Sequence, residues 1–191
     1  MGRVKRRLAA AIGDAAALKF YREIAAATLR LARDPRWRIT LALTPDRAVH
    51  GFRAKLRGLT GRRFDAMPQG PGDLGRRMAM AFMRYRNEPT LIVGTDIPGL
   101  GAAHIARAFR ELHGADAVFG PAVDGGFWLV GMRQPQRAAR AFANVRWSTA
   151  HALCDVRANF PRSARVAVVE MLEDVDNEAS YRRWRETCRR D

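Results

Sequence analysis

The segment from residue 89 to residue 113 restricts the possible folds more than any other part of the sequence. It reads PTLIVGTDIPGLGAAHIARAFRELH. Its first part is apolar without alternation, which is typical of a strand that is buried on both faces. Its last part carries apolar residues at helical spacing and is followed by Gly114, a common helix stop. A strand buried on both faces needs helices on both sides of its sheet, so this segment predicts an α/β protein.

Strand and helix patterns alternate over the rest of the chain, which favours a mostly parallel sheet between helical layers. With 191 residues, 48% of them hydrophobic, we expect one domain over 1–191, folded as a three-layer α/β/α sandwich. Helices are predicted over 8–33 (interrupted near Gly13, with Asp14 as an N-cap), 50–59, 74–86, 101–113, 150–160 and 177–190. Strands are predicted over 37–44, 89–96 and 164–172, a strand–loop–strand unit over 115–132, and a loop over 64–73.

The apolar run lengths, the N-terminal segment and the cysteine content argue against several classes of protein. No apolar run has the ~18–20 residues that are needed to cross a bilayer, and the basic N-terminus has no long apolar stretch typical of a signal peptide. We therefore expect a cytoplasmic protein without membrane insertion. Cys154 and Cys188 are far apart, without the spacing of a metal site, and are interpreted as ordinary thiols.

The net charge of +15 would normally indicate a nucleic acid or another anionic partner. Only Lys5, Lys19 and Lys55 are lysines, however, and the arginines are scattered through every segment. Nucleic acid is therefore not the expected partner, although a basic RNA- or DNA-binding module stays open as an alternative. A phosphate-bearing small molecule fits the charge as well.

Asp96 follows the buried strand directly. In open α/β sheets ligands bind at the carboxyl ends of the strands, where loops lead into helices. Gly94 allows close approach of the backbone, and Pro98 ends the strand. Mg²⁺ in proteins typically takes one or two carboxylates and completes its shell with phosphate and water. The alternative, a helix N-cap, would place Asp96 about four residues too early for the helix that begins near Leu100.

Asp124 precedes two glycines in GPAVDGGFWLVG. A tight hairpin turn explains this pattern. The flanking aromatic residues Phe127 and Trp128 also suit a loop that lines a pocket.

A glycine-rich segment, MPQGPGDLGRRM (67–78), leads into a predicted helix. Helix N-termini with exposed N–H groups bind anions or the edge of a nucleobase. The segment has no Walker signature, and no strong strand pattern precedes it. The alternative is a flexible loop in which Asp73 caps the helix.

Two acidic residues follow the last predicted strand in EDVDNEASY. Asp174 and Asp176 are expected to point to opposite sides if the chain stays extended, so that one could reach Asp96. The last helix could begin at Asp176 or Asn177.

Near the N-terminus, the charges of Lys5, Arg6 and Arg7 oppose the dipole of the following helix, which favours a site where phosphates bind. The alternative is an exposed, frayed terminus.

Hydrolase chemistry through a covalent serine or cysteine is disfavoured. The sequence has no GxSxG elbow and no evident Ser/His/Asp or Cys/His set. The four histidines do not have the spacing of a metal site: His50, His104, His113 and His151.

The motifs together resemble a known family. GRVKRRLA, QGPGDLGRRM, LIVGTDIPGL, GPAVDGGFWLVG, RWST and EDVDNEASY occur in the order seen in bacterial DUF2064 proteins. These are described as glycosyltransferases of the GT-A, or nucleotide-diphospho-sugar transferase, fold. They are related to the molybdenum-cofactor guanylyltransferase type. The combination of GTDxPGL with PAxDGGFxLxG is specific, and the resemblance covers nearly the whole chain.

The resemblance implies roles for the acidic residues. Asp96 resembles the metal-binding aspartate of this fold, and Asp176 is similar to a second ligand on the metal side. The expected metal is Mg²⁺ or Mn²⁺. Asp124 resembles an acceptor-side carboxylate that could act as a general base.

The resemblance also implies a nucleotide site. The loop that meets the nucleobase would be formed by Gln69, Gly70, Gly72 and Asp73. Lys5 resembles the basic residue of the phosphate loop.

The implied function is metal-dependent glycosyl transfer from a nucleotide-activated donor to a small-molecule acceptor. Nucleotidyl transfer to a phosphorylated small molecule stays open as an alternative. The chain departs from the family because it begins within the segment that normally follows the first strand, and Arg6 stands where threonine is usual. The usual first strand is thus expected to be absent, which favours a third possibility, a non-catalytic nucleotide-binding protein.

Overall fold

The computed structural model describes residues 6–31, 34–52 and 64–187. The helices are α1 (Arg6–Ile12), α2 (Asp14–Arg30), α3 (Leu74–Arg84), α4 (Ala102–Gly114), α5 (Ala138–Ala141), α6 (Ala152–Ala158) and α7 (Glu178–Thr187), with a short 3₁₀ turn at Pro135–Arg137. The strands are β1 (Ile39–Leu43), β2 (Phe64–Pro68), β3 (Thr90–Val93), β4 (Ala117–Pro121), β5 (Phe127–Met132) and β6 (Val166–Val168). The α/β class is confirmed.

The strands form two sheets. In one, β1 and β2 are parallel, with Ile39 opposite Phe64 and Leu43 opposite Pro68. The other has the order β3-β5-β4-β6. Within it, β5 is antiparallel to both of its neighbours, while β4 and β6 are parallel. The antiparallel strand follows from the short connection between β4 and β5, since neighbouring parallel strands need a long crossover.

Helices cover both faces of the four-stranded sheet, as predicted. Val118 and Phe119 are both fully buried and adjacent on β4, but they belong to different core clusters because successive strand residues point to opposite faces. Phe119 packs in a cluster with Phe82 of α3 and Val156 of α6. Val118 packs in another with Leu112 of α4. Burial of each such side chain contributes about 1.5–3 kcal/mol.

A third cluster joins the two ends of the described chain. Leu8 of α1, Phe20 of α2 and Val175 pack together, each at most 3% exposed. The ring of Phe20 contacts those of Tyr181 and Trp184 on α7 edge to face. This cluster anchors the segment that precedes α7.

Two local predictions are wrong. Residues 64–68 are a strand and not part of a loop, because their pairing with β1 outweighs the weak strand preference of Asp65 and Pro68. Asp14 does not cap α2. Gly13 is the N-cap, with a φ of 84°, and Asp14 lies in the first turn.

No described strand pairs with both β1 and β3, so the two sheets stay separate within the described ranges. None of the helices in these ranges has the length and apolar character that are needed to cross a membrane.

Candidate metal and nucleotide site

Three carboxylates converge where β3 ends. Asp96, Asp174 and Asp176 each offer an oxygen, and these oxygens lie within 4.8 Å of one another. All three residues are half-buried. Asp96 comes three residues after the end of β3, at the strand tip where the sequence predicts a ligand. Asp176, for which the resemblance implies a role as second metal-side ligand, lies beside it together with Asp174.

The convergence depends on the path of residues 169–176. This segment first continues beside β4, since the amide of Val169 donates to Phe119 O (2.9 Å) and that of Leu172 to Pro121 O (3.1 Å). It then crosses to the end of β3, where Val175 N donates to Asp96 O (3.4 Å). Because β3 and β6 are opposite edge strands of the sheet, this crossing is what joins the two acidic motifs.

The expectation that Asp174 and Asp176 point to opposite sides is wrong. Residues two apart on an extended chain share a face, and the carboxylates of Asp174 and Asp176 both lie beside that of Asp96. Val175 lies between them, points the other way, is 1% exposed and packs in the cluster with Leu8 and Phe20. The spacing of two acidic residues around a buried valine was therefore the signal that sequence reasoning missed.

Asp96 does not cap the next helix. Gly101 is the N-cap of α4, and its amide donates to Nδ1 of His104 (3.0 Å). Gly94 makes room for the Asp96 carboxylate, since a Cβ at Gly94 would lie 3.1 Å from Asp96 Oδ1. The amide of Gly94 is held by Trp128 O (2.8 Å), which ties this position to β5.

Asp124 lies in the hairpin turn between β4 and β5. Its Oδ1 accepts a hydrogen bond from Gly126 N (2.9 Å), and Gly125 has the positive φ of 82° that favours glycine. The hairpin interpretation is confirmed. Asp124 is exposed and is not a member of the three-carboxylate group, so any chemical role would be separate from metal binding.

The glycine-rich loop lies at the carboxyl ends of β1 and β2. Nε2 of Gln69 donates to Ala42 O (3.1 Å), and Gly70 N donates to Asp46 Oδ1 (3.3 Å). The loop thus does follow a strand, contrary to the sequence-based expectation. Asp46 is a contact that the motif did not reveal.

The loop turns sharply into α3. Gly70 and Gly72 have φ values of 77° and 103°, a left-handed region that glycine tolerates best. Asp73 is the N-cap, and its Oδ1 accepts from Arg76 N (2.8 Å). The capping role of Asp73 is confirmed, and its carboxylate is engaged by the backbone of α3. Lys5 lies outside the described residues.

Two aspartates outside the three-carboxylate group have lowered pKa values. Hydrogen bonds from Arg133 and from the amide of Arg165 hold the pKa of Asp116 below its usual range. Hydrogen bonds from Arg146 strongly lower the pKa of Asp155. Both are ion pairs of ordinary structural character.

Comparison with known proteins identifies the family of this chain. Residues 27–149 match the model of the family described as "Uncharacterized protein conserved in bacteria (DUF2064)". The chain belongs to this family. The match includes Asp96, Asp124 and the glycine-rich loop. No curated protein matches.

Solved structures agree on the fold. A crystal structure from Desulfovibrio desulfuricans G20, named "putative nucleotide-diphospho-sugar transferase", is 27% identical with a TM-score of 0.78, and the match covers 92% of this chain and 77% of that one. Rv0371c from Mycobacterium tuberculosis H37Rv is 19% identical with a TM-score of 0.50 over 85% of this chain and 84% of that one. Its homologue from Mycobacterium sp. strain JC1 is 16% identical with a TM-score of 0.51 over 87% and 83%. The fold of this DUF2064 protein is thus that of the nucleotide-diphospho-sugar transferase type.

Proposed function

We propose that this DUF2064 protein is a metal-dependent glycosyltransferase that takes a nucleotide-activated sugar as donor and a small molecule as acceptor. The observation that carries the proposal is the convergence of Asp96, Asp174 and Asp176 at the carboxyl end of β3. The name of the Desulfovibrio structure supports the donor class.

The carboxylate group fits a hard divalent cation. All three ligands are oxygens, which suit Mg²⁺ or Mn²⁺ and not the softer metals. Two oxygens bound to one Mg²⁺ at ~2.1 Å lie at most about 4.2 Å apart. The oxygens here lie within 4.8 Å of one another, so small side-chain movements would bring all three within reach of one cation.

Each part of the site has a chemical task in this proposal. The three aspartates would hold the cation, which would neutralise charge on the diphosphate leaving group. The loop at Gln69 and Gly70 receives the nucleotide. Asp124 orients the acceptor hydroxyl and removes its proton. Its Oδ1 is engaged by Gly126, whereas Oδ2 has no hydrogen-bond partner among the residues that the structure describes.

Two alternatives make different predictions. A nucleotidyltransferase would transfer the nucleotide to a phosphate oxygen, which needs no strong base, so Asp124 would be dispensable. A non-catalytic binding protein would bind nucleotide without turnover.

The test measures binding before turnover. Thermal stability is recorded with UDP, GDP, CDP and ADP and the corresponding nucleotide sugars, with and without Mn²⁺. A ligand at 100 times its Kd adds about 2.7 kcal/mol of stability. We expect metal-dependent stabilisation that disappears in Asp96→Asn but not in Glu111→Gln, an exposed charge on α4. Stabilisation that does not depend on the metal or on Asp96 would contradict the proposal.

A further inference from the structure

The segment around Trp147 contacts both the first turn of α3, which follows the glycine-rich loop, and the Asp124 turn. At the start of α3, a Cβ built on Gly75 would lie 2.6 Å from Cζ2 and 2.8 Å from Nε1 of Trp147. Real Cβ atoms do not approach other heavy atoms so closely, so only glycine permits the indole to rest on this backbone. Gly75 is buried beneath it.

The same segment supports the Asp124 turn. A Cβ on Gly125 would lie 2.3 Å from the carbonyl oxygen of Ala150. The carbonyl of Gly125 accepts a hydrogen bond from Leu153 N (3.2 Å). Residues 147–150 therefore lie against the first turn of α3, directly after the glycine-rich loop, at one end and against the Asp124 turn at the other.

Trp147 is held firmly in this position. Its ring contacts Phe127 of β5 and Phe142 edge to face, with centroids 6.3 Å and 6.0 Å away. The next residue, Ser148, has a φ of 61°, a left-handed backbone that a non-glycine residue adopts only where the surroundings impose it. Thr149 Oγ1 donates to Arg146 O (2.7 Å) and closes the turn.

We propose that Trp147 is a positioning residue that sets the separation between the glycine-rich loop and the Asp124 turn. This inference rests on the proposed function, in which the first receives the nucleotide and the second the acceptor. Trp147 acts through Gly75 and through the backbone of 148–150. The carboxylate group is built by other segments, so metal affinity does not depend on Trp147.

The test is a double-mutant cycle between the two contacting residues. Gly75→Ala pushes a methyl group into the indole, and Trp147→Leu removes the indole. We expect each single change to weaken Mn²⁺-dependent nucleotide binding at least fivefold, measured by calorimetry with the diphosphate that binds the wild type best. The double variant should bind the nucleotide at least as tightly as the single variant with the lower affinity, because the smaller Leu accommodates the new methyl. Effects that multiply independently would overturn the proposal.

Two further measurements separate positioning from general loss of structure. The Mn²⁺ affinity of Trp147→Leu should stay within twofold of the wild type. Phe160→Leu, which alters a ring packed on Phe119 in the same core cluster, should destabilise the fold while leaving nucleotide affinity unchanged. Equal weakening by Phe160→Leu, or a parallel loss of Mn²⁺ affinity, would show that Trp147 acts only through stability.

If the wild type binds none of the nucleotides, hydrogen exchange tests the positioning role of Trp147. That result would refute the proposed function but not the positioning contact. The milder variant Trp147→Phe should then speed amide exchange in both 70–76 and 122–126, while Phe160→Leu should not do so selectively. Faster exchange at only one of the two loops, or at neither, would overturn the inference.

Discussion

The amide nitrogen of Val175 lies 3.4 Å from the carbonyl oxygen of Asp96 and donates a hydrogen bond to it. This contact connects the chain after β6 to the chain after β3, although these strands are the two edges of the sheet. The Val175 side chain is buried against Leu8 and Phe20. A core contact on one side of the backbone thus holds two carboxylates in place on the other.

Shortening Val175 is therefore expected to affect metal binding as well as stability. Val175→Ala should lower the free energy of unfolding by about 1–3 kcal/mol, through lost burial and a residual cavity. It should also weaken Mn²⁺ binding severalfold, because Asp174 and Asp176 lose their support. Urea denaturation and calorimetry measure the two effects. The control is Val156→Ala, a fully buried valine of α6, which should destabilise the protein without changing Mn²⁺ affinity. Equal Mn²⁺ affinities for all three proteins would contradict this role of Val175.

Gly94 is expected to control the position of the Asp96 carboxylate. In Gly94→Ala the new Cβ would lie 3.1 Å from Oδ1, closer than comfortable van der Waals contact, so the carboxylate must move by a few tenths of an ångström. Manganese affinity should fall severalfold while the fold persists, as measured by calorimetry and circular dichroism. Gly99→Ala is the matched control, since a Cβ there meets nothing within 4 Å. The expectation fails if both variants bind Mn²⁺ like the wild type.

Mn²⁺ binding is expected to depend on each of the three clustered carboxylates. Asp96→Asn, Asp174→Asn and Asp176→Asn should each weaken Mn²⁺ binding at least tenfold, about 1.4 kcal/mol, because a neutral amide replaces an anionic ligand. Titration with Mn²⁺ followed by electron paramagnetic resonance gives the affinities. Glu111→Gln, which removes an exposed charge elsewhere, is the control for net charge. If Asp174→Asn alone had no effect, the cation would be bound by the other two aspartates only.

The features of the fold and of the candidate site that can be predicted from the sequence are those formed by residues close together along the chain. The position of Asp96, the hairpin at Asp124 and the cap at Asp73 follow from neighbouring residues, and all three were predictable. Strand β2 was missed because its pairing partner β1 lies more than twenty residues earlier, and its own residues favour a strand only weakly.

The cluster of three carboxylates is likewise formed by residues that are distant along the chain. The presence of Asp174 and Asp176 near a strand end was visible, but their convergence on Asp96 requires the crossing of 172–176 that Val175 anchors. The contact of Trp147 with Gly75 was not visible, since it joins two motifs that the sequence keeps apart. Local structure was therefore predictable, whereas the convergence of the three carboxylates and the contact of Trp147 with Gly75 were not.

Acid should weaken the fold in part through Asp116. Hydrogen bonds from Arg133 and from Arg165 N lower the pKa of Asp116 in the folded state. Its contribution to stability is therefore present above the unfolded pKa of about 3.9 and is lost as the pH falls through the lower folded value. Asp116→Asn should reduce stability at pH 7 and flatten its decline below about pH 4, as measured by urea denaturation at several pH values. An unchanged pH dependence, with Glu111→Gln as reference, would show that this pair contributes nothing to acid sensitivity.

Asp124 is expected to distinguish the two kinds of transfer. Asp124→Asn keeps an oxygen that can accept from Gly126 N, so the hairpin turn and the fold should persist, but the amide cannot take a proton. If the protein transfers a sugar, kcat should fall at least a hundredfold while nucleotide and Mn²⁺ affinities stay unchanged. The measurement is release of nucleoside diphosphate from the nucleotide sugar that stabilises the wild type most, with acceptor hydroxyl compounds present. The control is Asp14→Asn, an exposed aspartate in the first turn of α2, which should leave turnover intact. Full activity of Asp124→Asn would contradict its role as the base, and release of pyrophosphate from a nucleoside triphosphate in the presence of a phosphorylated acceptor would then identify nucleotidyl transfer.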